Sequence, residues 1–197
     1  GSEMCIRDRL FDAHFHVIDP THSLVENNGF MPDAFTAQDY VARVDGLGVG
    51  GGAVVSGSFQ GFDQGYLTEA LAVLGPNFVG VTQLPADVSS KSISELDRAG
   101  VRAVRFNLKR GGSAGVDDLE LLANRVFDVA GWHTELYVDA RELPDLERVL
   151  TRLPRVSIDH LGMHEDGLKA LLRLVEHGAM VKATGFGRVE LDPASAM

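Results

Sequence analysis

The chain has 197 residues, 45% of them hydrophobic, and a mean hydropathy of +0.02. That is the balance of a globular protein with room for a substantial core, and the length fits one domain better than two. A net charge of −10 argues against a nucleic-acid partner reached through a basic face, and no apolar run reaches the roughly 18 residues of a membrane span. The single cysteine, Cys5, excludes an internal disulfide framework and suits a reducing cytoplasm.

Residues 1–9, GSEMCIRDR, lack the apolar stretch of a secretory signal. They read as a non-native leader: a cloning scar followed by translated adaptor sequence. The domain is therefore taken as 10–197. Short apolar, β-branched runs then recur in chain order: LFDAHFHVI (10–18), GGAVVSGS (51–58), NFVGVTQL (77–84), VRAVRFNL (101–108), TELYVDA (134–140), RVSIDHLG (155–162) and AMVKATGF (179–186). Segments of helical spacing separate them, among them 117–131, 142–154 and 165–178. In the last, Leu168, Leu171, Leu172 and Val175 fall on one face, and Gly178 supplies a terminator.

Apolar strands alternating with amphipathic helices predict a parallel sheet covered by helices. An open doubly wound sheet announces a nucleotide site by a glycine-rich loop after its first strand. Here that strand runs instead into HVIDPTHS, and the glycine-rich GLGVGGG (46–52) precedes a strand, as a helix-to-strand loop would. The prediction is thus an α/β fold, a (β/α)₈ barrel with about seven units, strand eight missing. LDPAS, with Asp192 as cap and Pro193 at the first position, reads as the start of a further helix.

In such barrels the chemistry gathers at the C-terminal ends of strands. Polar residues fall there on almost every strand: His14 and His16, Ser56 and Ser58, Gln83, Arg105 and Asn107, Tyr137 and Asp139, Asp159 and His160, then Thr184 and Arg188. His14 and His16 share one face of a strand and can grip one metal ion or one substrate. Arg105, inside an apolar run, must meet an internal carboxylate or an anionic substrate. Asp159 alternates away from His160, which points it into the helix layer. His133, at the start of its strand, reads as structural, and His22, His164 and His177 as surface residues.

DAHFHVID, VRFNL, GWHTELY, IDHLG and VKATGFGR resemble, in order, the motifs of the amidohydrolase family 2 barrels. The resemblance covers about residues 10–190 and implies a hydrolase or lyase acting on small carboxylated compounds. It implies His14, His16 and His160 as catalytic residues that bind one divalent metal, zinc, in metal-dependent members, and act directly on substrate in others. Arg105, Arg110 and Tyr137 fall where lactonase-like members hold substrate carboxylates and a carbonyl, with Ser58 and Asn107 beside them. The absence of a lysine at the end of strand four argues against a carbamylated bridge between two metals. The family's strand-eight aspartate, its general base, would lie beyond Met197. The expected activity is opening of a lactone or ester. A zinc-dependent non-oxidative decarboxylase on the same barrel is the alternative, and an inactive fragment that associates with itself through open sheet edges is a third reading.

Overall fold

The structure is a computed structural model that describes residues 10–27, 29 and 31–188. The leader with Cys5, and the helix start at Asp192 and Pro193, lie outside the described residues. Seven parallel strands form one sheet: β1 (Leu10–Phe15), β2 (Val49–Val55), β3 (Phe78–Thr82), β4 (Val101–Asn107), β5 (His133–Tyr137), β6 (Val156–Ile158) and β7 (Met180–Val181). Their order in the sheet is their order in the chain, without the reversal that marks a doubly wound sheet. Parallel neighbours need crossovers. Each is made by one helix: α1 (Ala37–Val44), α2 (Gly65–Leu74), α3 (Ser90–Arg98), α4 (Leu119–Ala130), α5 (Leu143–Leu150) and α6 (Leu168–Glu176).

Local chemistry sets the helix boundaries. Thr36 and Asp39 close a reciprocal capping box on α1, the Ser89 hydroxyl caps α3, and Pro144 sits in the first turn of α5. Gly131 ends α4 in the left-handed conformation at φ 69°.

The two faces of the sheet carry separate apolar clusters. Val54, Val104, Phe106, Leu136 and Ile158 join the main core with Leu67, Leu122, Val126, Leu143 and Leu171 of the helices. Ala53, Val55, Val79, Val81 and Ala103 form a small cluster of their own on the other face. Strand alternation therefore turns odd-numbered residues of β2 to β6 to the inside, among them Arg105, Asn107, Glu135 and Tyr137. The sheet is strongly curled. His14 of β1 lies 3.4 Å from Asp159 at the end of β6, although five strand spacings in a flat sheet would span about 24 Å.

Two expectations are corrected here. On α6 the buried face is Ala170, Leu171 and Leu174, whereas Leu168, Leu172 and Val175 are exposed. Gly167 lies in line with this face, at the i, i+3, i+4, i+7 spacing with Ala170, Leu171 and Leu174, and packs so closely on Ala140 that a Cβ there would come within 2.2 Å of it, which turns this side inward. The glycine run 46–52 is only half a loop. Gly46 and Gly48 turn with positive φ, while Gly51 and Gly52 lie in β2, where a Cβ would meet the Asn77 and Asp12 carbonyls at 2.5 and 2.9 Å.

Candidate active site

β1 supplies two of the site's histidines. Phe15 faces outward and stacks on Tyr40 of α1 at 3.6 Å between ring centres, so His14 and His16 on either side of it turn inward. The His14 ring lies 5.1 Å from that of His16 and 4.6 Å from that of His160. Val55, at the end of the neighbouring strand, accepts a 2.7 Å bond from Nδ1 of His16. The two histidines of this strand are thus held in different settings: His14 beneath, buried among charges, and His16 above, at the wall of a cavity.

At the end of β6 the structure departs from simple alternation. Asp159 does not point into the helix layer: it is fully buried on the inner side, bonded to Arg105 through Oδ2. Its parity is that of Ser157, while Ile158 takes the helix side. His160 joins it inside because the chain leaves the strand there, with positive φ at His160 (53°), Leu161 (55°) and Met163 (64°). Such angles are costly for non-glycine residues and recur at functional sites. The imidazole of His160 is fixed by a 3.0 Å bond between Nδ1 and the Thr184 hydroxyl. The side chain of Arg188 lies outside what the structure describes.

Arg105 meets internal carboxylates. Its Nε and Nη2 donate to Asp159 Oδ2 at 3.2 and 2.8 Å, and Nη1 donates to the Ser56 carbonyl at 2.9 Å. Its guanidinium also sits 5.2 Å from the centre of the Tyr137 ring. The charges of Arg105 and Lys182 and the contact with His14 outweigh the effect of burial and hold the Asp159 carboxyl well below the usual range. Burial lowers the pKa of His14, with Asp159 pulling the other way.

Two charged residues of this interior were not among the sequence candidates. Glu135, fully buried on β5, pairs with Lys182 just after β7, and Lys182 also lies 3.8 Å from Asp159. Burial, helped by the charge of Asp159, pushes the Glu135 carboxyl up to about 7. The signal for both was present: each is a lone charge within an apolar run, as Arg105 is.

Above this layer a cavity of about 140 Å³ is walled by His16, Ser58, Arg105, Asn107, Arg110 and Tyr137, so every expected substrate-side residue meets at one place. A larger groove of about 890 Å³ lies elsewhere, along Val41, Leu47 and Phe78, away from the histidines. Arg110 is held by its backbone. Its N–H donates to Asn107 Oδ1 at 3.0 Å, and its carbonyl accepts from Asn27 of the loop after β1 at 3.0 Å. Lys109 next to it is paired with Asp139 at 2.9 Å.

Among the described residues, His14, Asp159 and His160 form a group with metal-ligand atoms all within 4.8 Å of one another. Of the expected metal trio it includes His14 and His160, with Asp159 as the third donor in place of His16. The donor set fits one divalent ion. Both ring nitrogens of His14 and Oδ1 of Asp159 are buried without a hydrogen bond, while Oδ2 of Asp159 is committed to Arg105.

Known proteins resemble this chain in sequence and in fold. The chain is 34% identical over 157 residues to a 2-pyrone-4,6-dicarboxylate hydrolase of Comamonas testosteroni, covering 77% of this chain and 51% of the relative. It is 26% identical to a 4-sulfomuconolactone hydrolase of Rhizobium radiobacter, covering 91% of this chain and 64% of that one. The chain thus spans about half to two thirds of the length of these relatives. A candidate 2-pyrone-4,6-dicarboxylic acid hydrolase from Acinetobacter baumannii, crystallised with citric acid bound, shares the fold at a TM-score of 0.81 and 22% identity, over 93% of this chain and 73% of that one. Its counterpart from Pseudomonas putida superposes with a TM-score of 0.79 at 29% identity, over 93% and 71% of the two chains. A family profile described as amidohydrolase matches residues 11–196, and the chain therefore belongs to the amidohydrolase family.

Proposed function

We propose that this chain carries the larger part of an (β/α)₈-barrel hydrolase that opens the lactone of a small carboxylated compound. The observation that carries the reading is the cavity in which Arg105, Arg110 and Tyr137 converge beside His16, with His14 and His160 beneath. Arg110, free of a fixed acidic partner among the ion pairs of the described residues, binds a substrate carboxylate by a forked hydrogen bond. Arg105 is already oriented by Asp159 and offers its remaining N–H groups as a second, rigid donor. His16 and His160 then face the lactone carbonyl and stabilise the charge that develops on its oxygen as water adds, while the strand-eight aspartate expected of the family takes the water's proton and passes it to the ring oxygen as the ring C–O bond breaks. Tyr137, with the Arg105 guanidinium over its ring and His160 set edge-to-face against it, closes the wall and orients the lactone ring. His14, His160 and Asp159 would hold a divalent ion, whose chemistry when bound is Lewis-acid polarisation of the same carbonyl.

The test is turnover and binding of 2-pyrone-4,6-dicarboxylate and related carboxylated lactones, followed by loss of the lactone chromophore and by calorimetry. Arg110→Met should raise KM, or Kd, about tenfold or more while the chain stays folded. His160→Gln should lower kcat about 100-fold with little change in KM. Carbon dioxide release from a carboxylated substrate without ring opening would move the assignment to the decarboxylase. Neither turnover nor binding of any lactone would overturn it.

A further inference from the structure

Glu135 does not wall the cavity, yet it lies at the centre of the charges beneath it. The two buried carboxylates are split in the same way. Asp159 gives Oδ2 to Arg105 and turns Oδ1 toward His14, 3.4 Å from Nδ1. Glu135 gives Oε2 to Lys182 and turns Oε1 toward Arg105 Nε at 3.4 Å and His14 Nδ1 at 3.9 Å. Each carboxylate has one oxygen anchored by a cation; the other oxygen of Asp159 faces His14 Nδ1 directly, and that of Glu135 lies between Arg105 Nε and the same nitrogen, close enough for its charge to act on it. Four buried charges would be a poor way merely to fill this space, since apolar side chains fill such volumes as well or better.

We infer that Glu135 is a positioning residue for His14: backed by Lys182, it joins Asp159 in keeping the His14 proton on Nδ1, so that the lone pair of Nε2 faces the site. Carboxylates behind a working imidazole set its tautomer and ring orientation in this way. The role of Glu135 in turnover rests on the proposed lactone hydrolysis; its effect on the tautomer does not.

The experiment is ¹⁵N NMR of the histidine rings at mildly alkaline pH, in the wild type and in Glu135→Gln, with turnover measured in parallel. In Glu135→Gln the amide oxygen takes the side of Lys182, which turns an NH₂ donor toward Nδ1 of His14. The expected result is an Nδ1–H tautomer in the wild type that gives way to a mixed or Nε2–H state in the variant. With a lactone substrate, kcat should fall about 10–100-fold while KM stays within about twofold. A wild-type His14 that carries its proton on Nε2, or a variant with unchanged tautomer and kcat, overturns the assignment. So does a variant that loses only thermal stability, the mark of a packing strut. If Glu135→Gln does not fold, Glu135→Met/Lys182→Met removes both charges together, a change buried pairs tolerate, and the same loss of the Nδ1–H tautomer is expected of it. A wild type that opens no lactone would sink the proposed function, and the tautomer measurement would still decide the role of Glu135.

Discussion

His133 shows how the interior charges reach a residue that takes no part in the site. It stands at the inner start of β5, half-buried, two residues before Glu135. Burial lowers its pKa to about 4, with further depression from Lys182 and Arg155. The unfolded chain titrates this side chain near 6.5. Below that pH the unfolded state takes up a proton that the folded state refuses. The contribution is therefore whole above pH 6.5 and is lost as pH falls toward 4, and over the full window it amounts to on the order of 3 kcal/mol. Denaturant unfolding at stepwise pH should show a steeper loss of stability for the wild type than for His133→Asn between pH 7 and 4.5. Equal slopes would mean that His133 protonates freely in the folded state. At this scale the sequence was legible by residue type and parity. His14, His16, Arg105, Asn107 and Tyr137 could be placed on inner positions of strands because alternation holds within a strand. Glu135 and Lys182 lay inside GWHTELY and VKATGFGR but were passed over because they fall mid-run, away from the run ends where candidates were sought.

Elements were legible where their periodicity was strong, and least where function bends them. The runs that predict β2 to β5 match observed strands to within a few residues, since their apolar residues alternate between two buried faces. The run 179–186 yields only Met180–Val181 as strand. Parity failed at Asp159 and His160 because alternation describes an extended chain, and positive φ at His160 ends the extended chain there. Nothing in residue type announces a left-handed histidine. The consequence is that the strand-six turn depends on its neighbour, Gly185, which takes φ 62° and leaves no room for a side chain. A Cβ there would lie 2.5 Å from Nδ1 of His160 and 2.7 Å from its Cγ. Gly185→Ala is therefore expected to push the imidazole off the Thr184 hydroxyl and to cut the proposed lactone turnover at least about tenfold, with circular dichroism unchanged. Full activity in this variant would show that the His160 ring position is not what the site requires.

For the molecule as a whole, strand count and helix alternation gave the parallel, helix-covered sheet, and sequential strand order with side chains of β1 and β6 in contact gave its curl. What the sheet does at its margins follows from the same order. Among the described residues β1 pairs only with β2, and β7 only with β6, so each presents one unpaired row of backbone N–H and C=O groups. Leu10 (57% exposed) and Phe11 (58%) stand on the first edge and Met180 (72%) on the second. An exposed edge flanked by apolar side chains is a template for pairing with another chain, and a charged residue on the edge is the usual block. The 197-residue chain on its own should therefore elute from a sizing column as species whose size grows with concentration, and Met180→Lys should shift that growth to higher concentration. Because Met180 is exposed, the substitution removes little buried area, so thermal stability should change by only about 0.5 kcal/mol or less. A monomer at every concentration, indifferent to Met180→Lys, would mean that both edges are covered within the chain itself, and the open-edge picture of this sheet would have to be given up.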